Sequence, residues 1–405
     1  MISGWKSKII ESFNPALACA LMEAERVRTL LAQPNSKSAF ILSDMIANAA
    51  KDAYLKRKPV VWITPNVTNE KVMAAKAVPN CTEVIGSSLA WLGLQSTCLL
   101  EADKLPVSSF MCAYHRSAIG AIPLNLLPTP DALVCATDVC DANLNAFRDI
   151  ASRYDRPLFV LDVPSDRDKT SLSYIAFQLG QLVEFLTEHV RRPFGREGLA
   201  EAVEWSNAAR SAFVKLNELR KVVALPRGVS IDLNSLSVHF GRDKLAAYLE
   251  SLCWEISQKP KVAGRPRLLW LSVTPQPSES MLDRVEARGA SIVFEEVNEI
   301  YWPELDASCP LSSLAAKISS HHNCAPLHER IERLIALASD HQVDGVVSIA
   351  YFGCRNGGTA LPYILQGLAD AGIPSISLED DFVGPRDSEG RTSLDDFIET
   401  LNGAA

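Results

Sequence analysis

The segment VVSIAYFGCRNGGT, which runs from Val346 to Thr359, decides the fold that the sequence predicts. It begins with an apolar, β-branched run that is typical of a buried strand. A loop with Cys354 follows, and then two glycines and the start of a helical pattern. In an open parallel sheet, ligands bind in the crevice beside the carboxyl ends of the strands. The segment therefore predicts an α/β fold with Cys354 at its ligand-binding edge.

The same alternation of strand, loop and helix occurs elsewhere in the chain. The predicted strands are 59–64, 82–85, 132–136, 157–162, 267–273, 290–294, 343–350 and 373–379. The predicted helices beside them are 38–58, 69–77 (with Asn69 as its N-cap), 142–154, 278–288, 326–342, 359–371 and 393–401. Strands joined in this way by helices imply parallel sheets with right-handed crossovers.

The middle of the chain loses the strand pattern. It predicts three helices instead, over 171–191, 196–222 and 242–258, and a polar linker with two prolines follows them. We therefore predict two Rossmann-like parallel-sheet domains with a helical insert between them. The N-terminal domain with its helical N-terminus covers residues 1–165, the insert 166–262 and the C-terminal domain 263–405.

Bulk properties restrict the class of protein. A chain of 405 residues is too long for one ordinary core. Its net charge of −8 and the lack of a basic run argue against nucleic acid as a partner. The N-terminal residues lack a signal-peptide pattern, and no run of 18 apolar residues predicts a membrane span. We therefore expect a cytoplasmic protein with mostly reduced cysteines.

Three of the ten cysteines fall in loops beside predicted α/β strands, namely Cys112, Cys140 and Cys354. No CxxC pair is present, so zinc-ribbon and thioredoxin signals are absent. Thiolates from two facing domains could close on one group, and soft thiolates favour iron–sulfur clusters or zinc. Three protein ligands would leave one metal position open for catalysis. The alternative is that the three are buried thiols with no shared site.

Charged and polar neighbours of these cysteines are candidate helpers. His115 lies three residues after Cys112 and could reach the same pocket, or it could be an ordinary polar helix residue. Arg116 and Arg355 lie beside candidate thiolates and could offset cluster charge or bind an anionic substrate group. The alternative for both arginines is a surface ion pair.

The other motifs that would indicate a functional site are absent, or they predict an ordinary loop. No GxGxxG follows a predicted strand, and neither a Walker A sequence nor a G-x-S-x-G elbow occurs. We therefore expect no classical dinucleotide site and no ATP hydrolysis by this chain. The segment from His321 to Cys324 predicts a polar loop rather than a metal site, and Glu379 to Asp381 predicts a solvated loop.

Several blocks in this order resemble the 2-hydroxyacyl-CoA dehydratase / benzoyl-CoA reductase family, and in particular its dehydratase D-component-like subunits. The similarity covers about residues 59 to 401. The similar blocks are 112–120 (CAYHRSAIG), 137–141 (TDVCD) with 157–164 (PLFVLDVP), 265–269 (RPRLL), 343–354 (VDGVVSIAYFGC) and 372–399, which includes GIP and LEDD. Each block alone is weak, and their order and spacing make the resemblance specific.

The resemblance implies a [4Fe-4S] cluster between the two domains, held by Cys112, Cys140 and Cys354. It also implies a homologous second subunit, a separate ATP-hydrolysing activator that donates one electron, and an acyl-CoA substrate. In the dehydratases, the electron reduces an (R)-2-hydroxyacyl-CoA thioester, whose ketyl radical anion expels the 2-hydroxyl group. The alternatives within the resemblance are a benzoyl-CoA-type reductase subunit and a non-catalytic, cluster-bearing companion subunit.

The sequence departs from the family pattern at two places. A double-cubane branch carries extra cysteines where this chain has 64–66 (TPN) and 296–298 (EVN), so the resemblance favours a single cubane here. The usual proline–glutamate pair after the first strand is replaced within 66–70 (NVTNE). That region shapes the substrate pocket in relatives, so its divergence leaves the substrate and the choice between catalytic and companion subunit open.

Overall fold

Two four-stranded sheets form the frame of the protein, and every strand pairing in both sheets is parallel. The computed structural model describes residues 12–190, 195–225, 229, 233, 235–261, 264–271, 281–380 and 388–404. The strands are β1 Val60–Ile63, β2 Val78–Cys81, β3 Ala132–Ala136, β4 Leu158–Leu161, β5 Arg267–Leu271, β6 Ser291–Glu295, β7 Gly345–Tyr351 and β8 Ser375–Asp380.

Both sheets have the same topology. The strand order is β2-β1-β3-β4 in the first sheet and β6-β5-β7-β8 in the second. In each sheet the strand order reverses between two parallel neighbours, β1 and β3 in the first sheet and β5 and β7 in the second. Doubly wound sheets open a crevice for ligands at this point. The predicted fold class, two Rossmann-like parallel-sheet domains, is therefore confirmed. The exact domain bounds stay a prediction.

Helices cover the sheets and form the insert. They are α1 Pro15–Ala32, α2 Lys37–Tyr54, α3 Asn69–Ala74, α4 Thr82–Trp91, α5 Gln95–Ala102, α6 Ala113–Ala121, α7 Asp141–Tyr154, α8 Lys169–Val190, α9 Arg196–Arg220, α10 Asp243–Ser257, α11 Met281–Ala287, α12 Pro310–Ser319, α13 Leu327–Asp340, α14 Arg355–Asp370 and α15 Ser388–Ala404. Within the described ranges, no helix combines the length and the apolar composition needed to cross a membrane.

Alternate residues of the first sheet face two different cores, as the two-residue period of a strand requires. Val61 and Ile63 face the core that the sheet shares with helices α8, α9 and α10 of the insert. Val60 and Trp62 face the core formed with α6 and α7. The insert therefore supplies a layer of the first sheet's core.

Two local predictions are wrong. The second strand is Val78–Cys81, and residues 82–85 instead begin helix α4. The proline and asparagine inside 78–81 hide the strand, which pairs with β1 all along its length. Asn69 is also not an N-cap, because Thr68 holds that position and the Asn69 side chain donates a hydrogen bond to the Ser237 carbonyl at 2.6 Å.

A buried ion pair joins the insert to the second sheet and makes a testable contribution to stability. Arg220 at the end of α9 pairs with Glu295 at the end of β6, and the side chains are 1% and 0% exposed. Replacing Arg220 by methionine leaves the Glu295 carboxylate buried without its counter-charge. We expect Arg220→Met to lower the free energy of unfolding by about 3 kcal/mol in urea denaturation.

The matched control is Arg153→Met, which removes a more exposed pair with Asp149 on helix α7. Such surface pairs contribute less than about 1 kcal/mol. Adding Glu295→Gln to Arg220→Met should restore part of the lost stability, because it removes the unpaired charge. Equal stability of the Arg220 and Arg153 variants would contradict the assigned role of burial.

Candidate functional site

Each of the three predicted cysteine ligands is the N-cap residue of a helix. Cys112 precedes α6, Cys140 precedes α7 and Cys354 precedes α14, all with non-helical backbone angles. The N-terminus of a helix carries a partial positive charge, which stabilises a thiolate or another anionic group beside it. Sequence analysis did not predict this shared position, because it placed the start of the helix after Cys354 at 359 rather than at Arg355.

Two of these cysteines follow the third strand of their sheet. Cys140 lies in the loop after β3, and Cys354 lies in the loop after β7. Both strands border the point where the strand order reverses. The predicted position of both thiols at strand ends is confirmed, whereas Cys112 comes from a loop between two helices.

The loops that carry Cys112 and Cys354 are in direct backbone contact at Gly353. This glycine has a positive φ of 75°. A Cβ atom added there would lie 2.8 Å from the Phe110 carbonyl oxygen and 3.0 Å from the Cys112 nitrogen. Beside this contact, the rings of Phe110 and Phe352 pack with centroids 6.0 Å apart. The absence of a side chain at Gly353 therefore permits the two loops to meet.

All three cysteines line one cavity of about 1630 Å³. Burial raises the pKa of Cys112 to about 12, and the Cys354 thiol acts in the same direction. Burial also raises the pKa of Cys354, with a contribution from Cys140 in the same direction. Cys354 thus interacts electrostatically with both of the others. Metal binding would have to displace protons from these two buried thiols, because the thiolate is the ligand.

Cys112, Cys140 and Cys354 share one ligand chemistry, that of a soft thiolate. Among the residues that the structure describes, no three His, Cys, Asp or Glu side chains converge closely enough to hold one metal ion. Three soft thiolates at three helix N-termini would suit an anionic iron–sulfur cluster in chemistry and in charge.

Two of the three candidate helpers lie apart from the described lining of this cavity. Arg116 pairs with Asp103. Arg355 is exposed in the first turn of α14. His115 does line the cavity, and its Nδ1 atom is buried without a hydrogen-bond partner within the described part of the chain.

Glu83 is a site residue that sequence analysis missed. It lies in the first turn of α4 with an oxygen 3.7 Å from His115 Nε2, and it accepts a hydrogen bond from the Thr82 hydroxyl at 2.7 Å. Its charge adds to the effect of burial in raising the pKa of both Cys112 and Cys354. The wrongly predicted strand over 82–85 concealed this carboxylate, because it removed the helix start that positions it.

A buried polar network adjoins Cys140. The Asn66 amide donates to Asp138, and Cys324 Sγ donates to the same carboxylate at 3.4 Å. Tyr301 donates from its hydroxyl to Asn66 Oδ1 at 3.4 Å. Burial raises the pKa of Asp138. This network connects the loop after β1 with the loop after β3 and with the second half of the chain.

The segment 321–324, predicted as a polar loop, connects helices α12 and α13. Its residues 322–324 form a short 3₁₀ helix, and His321 and His322 stack with ring centroids 4.2 Å apart on the cavity wall. Burial lowers the pKa of His322 to about 3, so its imidazole is neutral at physiological pH. At the other predicted loop, Glu379 is exposed in β8, and Asp381 lies outside the described residues.

Comparison with known proteins identifies the family. The family model described as 2-hydroxyglutaryl-CoA dehydratase, D-component, matches residues 66–401. The chain is 21% identical over 295 residues to the alpha subunit of (R)-2-hydroxyglutaryl-CoA dehydratase from Acidaminococcus fermentans, which covers 68% of this chain and 61% of that subunit. It is 18% identical over 377 residues to the alpha subunit of (R)-phenyllactyl-CoA dehydratase from Clostridium sporogenes, which covers 87% of this chain and 91% of that subunit.

The chain thus spans less than two thirds of the first relative's length and nearly all of the second's. The family match itself extends from the loop after β1 to the last helix, and it includes the loops that carry Cys112, Cys140 and Cys354. Because this match covers most of the chain, the protein belongs to the 2-hydroxyglutaryl-CoA dehydratase D-component family.

Proposed function

We propose that this chain is the [4Fe-4S] subunit of a cytoplasmic (R)-2-hydroxyacyl-CoA dehydratase. The observation that carries the proposal is the placement of Cys112, Cys140 and Cys354 at three helix N-termini around one cavity. These cysteines would hold the cluster and leave one iron for the substrate. When bound, the cluster would lend one electron to the thioester, so that the 2-hydroxyl group leaves as water with a donated proton, and it would take the electron back once a C3 proton is lost.

The chain's own residues would order the substrate and handle the proton. His115 has an unpaired Nδ1 atom at the cavity wall within the described part of the chain, so we assign to it proton donation to the departing hydroxyl group. Glu83 lies on the opposite side of the imidazole, near Nε2, and would orient the ring. The remainder of the cavity wall would exclude water from the reduced thioester.

The proposed assembly contains a homologous second subunit and a separate ATP-hydrolysing activator. Family membership and two alpha-subunit relatives support a multi-subunit enzyme. The sequence contains no Walker A motif, which agrees with ATP hydrolysis on another chain. Purified with its partners, the protein should eliminate water from a 2-hydroxyacyl-CoA. Reduction of an aromatic ring would instead assign it to the benzoyl-CoA-type reductases.

Iron content tests the proposal directly. Anaerobic purification should give about four irons per chain and a broad brown absorbance. Cys140→Ala or Cys354→Ala should remove most of that iron, because each deletes one of three ligands. Cys253→Ala is the control, since this thiol lies in α10 and donates to the Ala212 carbonyl at 3.4 Å. A folded, colourless and iron-free protein would refute the proposal, as would equal iron loss in the Cys253 variant.

A further inference from the structure

Three aromatic side chains form part of the same cavity as the cysteines. We call Phe240, Tyr301 and Trp302 the aromatic wall; all three line the cavity. The ring centroids of Phe240 and Trp302 are 5.2 Å apart, and those of Tyr301 and Trp302 are 4.8 Å apart. Edge-to-face contacts at these distances hold the rings in fixed positions. The wall therefore presents a rigid apolar surface to whatever occupies the cavity.

The aromatic wall is connected to the loop of Cys140. Tyr301 donates a hydrogen bond to Asn66 at 3.4 Å, and Asn66 donates to Asp138, which lies two residues before Cys140. Asn66, Cys140 and the aromatic wall line the same cavity. The hydrogen-bonded chain from Asp138 through Asn66 to Tyr301 thus leads from the loop of Cys140 to this wall.

Lys317, which also lines the cavity beside the aromatic wall, is paired with a carboxylate. Lys317 Nζ lies 4.8 Å from the Phe240 ring centroid and 4.6 Å from that of Trp302. It donates to Glu70 Oε1 at 2.6 Å, and Ser206 donates to the same oxygen at 2.7 Å. Although burial alone would raise the pKa of Glu70, Lys317 lowers it, so the carboxylate stays charged. The charge of Lys317 is therefore offset by Glu70 rather than free for an anionic ligand.

The neighbouring arginine is neutralised in the same way. Arg330 lines the cavity and makes a two-point contact with Glu296 at 2.7 and 2.8 Å. Glu299 also lines the cavity, and its carboxylate is paired with Arg333 at 2.6 Å. A ligand carboxylate in this region would therefore lose water without gaining a free counter-ion.

We propose that the aromatic wall binds the acyl tail of the thioester, and that this tail is apolar and uncharged. Aryl groups and branched alkyl chains fit the wall, whereas tails ending in a carboxylate do not. The inference rests on the proposed dehydratase function, since it names the substrate class of that same cavity. It identifies Phe240, Tyr301 and Trp302 as specificity-determining residues.

Two thioesters of matched shape test the tail class. In 2-hydroxy-5-methylhexanoyl-CoA, an isopropyl group takes the place of the terminal carboxylate of 2-hydroxyglutaryl-CoA. Calorimetric titration of the anaerobic protein, purified with its associated chains, should show at least about tenfold tighter binding of the branched thioester. 2-Hydroxy-3-phenylpropanoyl-CoA should bind in the same range as the branched thioester.

A tryptophan pair tests the location. Trp302→Ala should weaken binding of the two apolar thioesters about tenfold and leave binding of 2-hydroxyglutaryl-CoA nearly unchanged. Trp254→Ala is the matched control, because this tryptophan lies on α10 with 67% of its surface exposed. Equal effects of the two substitutions would place the acyl tail elsewhere and overturn the proposal.

Glu70→Gln provides a test by gain of binding. It removes the charge that neutralises Lys317, so affinity for 2-hydroxyglutaryl-CoA should increase severalfold while that for the branched thioester does not. Unchanged affinity for 2-hydroxyglutaryl-CoA in a folded variant would contradict the role given to this ion pair. Should the variant fail to fold, the wild-type comparison and the tryptophan pair decide.

The outcomes separate this inference from the proposed function. Equal affinity for the matched thioesters, or preference for the carboxylate, overturns the tail class and leaves the dehydratase proposal intact. A protein without iron that still binds apolar thioesters in a Trp302-dependent way retains the inference and refutes the cluster. An iron-containing protein that binds none of the three thioesters refutes both.

Discussion

Replacing Lys71 by methionine should stabilise the protein by roughly 4 kcal/mol at pH 7. Lys71 lies in helix α3, is fully buried, and has no hydrogen-bond partner for its Nζ atom among the described residues. Burial lowers its pKa from 10.5 to about 7, although the adjacent Glu70 acts in the opposite direction. A methionine fills similar space without a charge, so it removes this penalty.

The sign of the pH dependence follows from the two pKa values. Between pH 10.5 and about 7, the unfolded chain binds a proton at Lys71 that the folded protein does not. The penalty from Lys71 is therefore absent above pH 10.5 and grows as the pH falls toward 7. Below pH 7 both states are protonated at Lys71, and the penalty is constant. Wild type should gain roughly 3 kcal/mol between pH 7 and 9.5 relative to Lys71→Met.

Urea denaturation at pH 7 and 9.5 measures this difference. Lys169→Met is the control, because this lysine is exposed at the start of α8 and its replacement should change stability by no more than about 0.5 kcal/mol. The other titrating groups are common to all three proteins and cancel in the comparison. If Lys71→Met and wild type have the same pH slope, Lys71 is not buried as a neutral amine.

The local pattern of the sequence was sufficient for most of the sheet and for two of the three thiols. The run that ends at Tyr351 and the run that ends at Ala136 are apolar and bounded by loops, so their strands and the cysteines after them are visible in a single sequence. Strand β2 was missed because Pro79 and Asn80 are poor strand residues that only pairing with β1 stabilises.

The chemistry of the cavity wall could not be predicted in this way. Glu70 and Lys317 are 247 positions apart and meet only after the insert has packed. Tyr301 and Asn66 are 235 positions apart. No periodicity or motif encodes such contacts, so the sequence offered no indication that Lys317 is neutralised. Glu83 was lost for a different reason, because a local error of secondary structure moved it from a helix start into a strand.

Gly353→Ala should cost the protein most of its iron while Gly358→Ala retains it. Gly353 has a φ of 75°, which an L-residue adopts only at a cost of about 1–2 kcal/mol. The added Cβ would meet the carbonyl oxygen of Phe110 and the nitrogen of Cys112. These are backbone atoms, so a rotamer change cannot relieve the clash and the loops of Cys112 and Cys354 must separate.

Gly358 is a close control for this substitution. It lies in the first turns of α14, and a Cβ added there meets nothing within 4 Å. Alanine should even strengthen the helix by about 1 kcal/mol. Iron per chain in the two anaerobically purified variants is the first measurement. The second is urea denaturation of the iron-free proteins, in which Gly353→Ala should lose about 2 kcal/mol.

The second measurement separates two causes of iron loss. Lower stability of the iron-free Gly353→Ala protein together with iron loss would locate the defect in the contact between the two loops, because that contact exists without metal. Iron loss at unchanged stability would mean that the loops meet only around the cluster. Full iron content in Gly353→Ala would contradict the contact altogether. In that case the lack of a side chain at Gly353 would not be what allows the loops of Cys112 and Cys354 to meet.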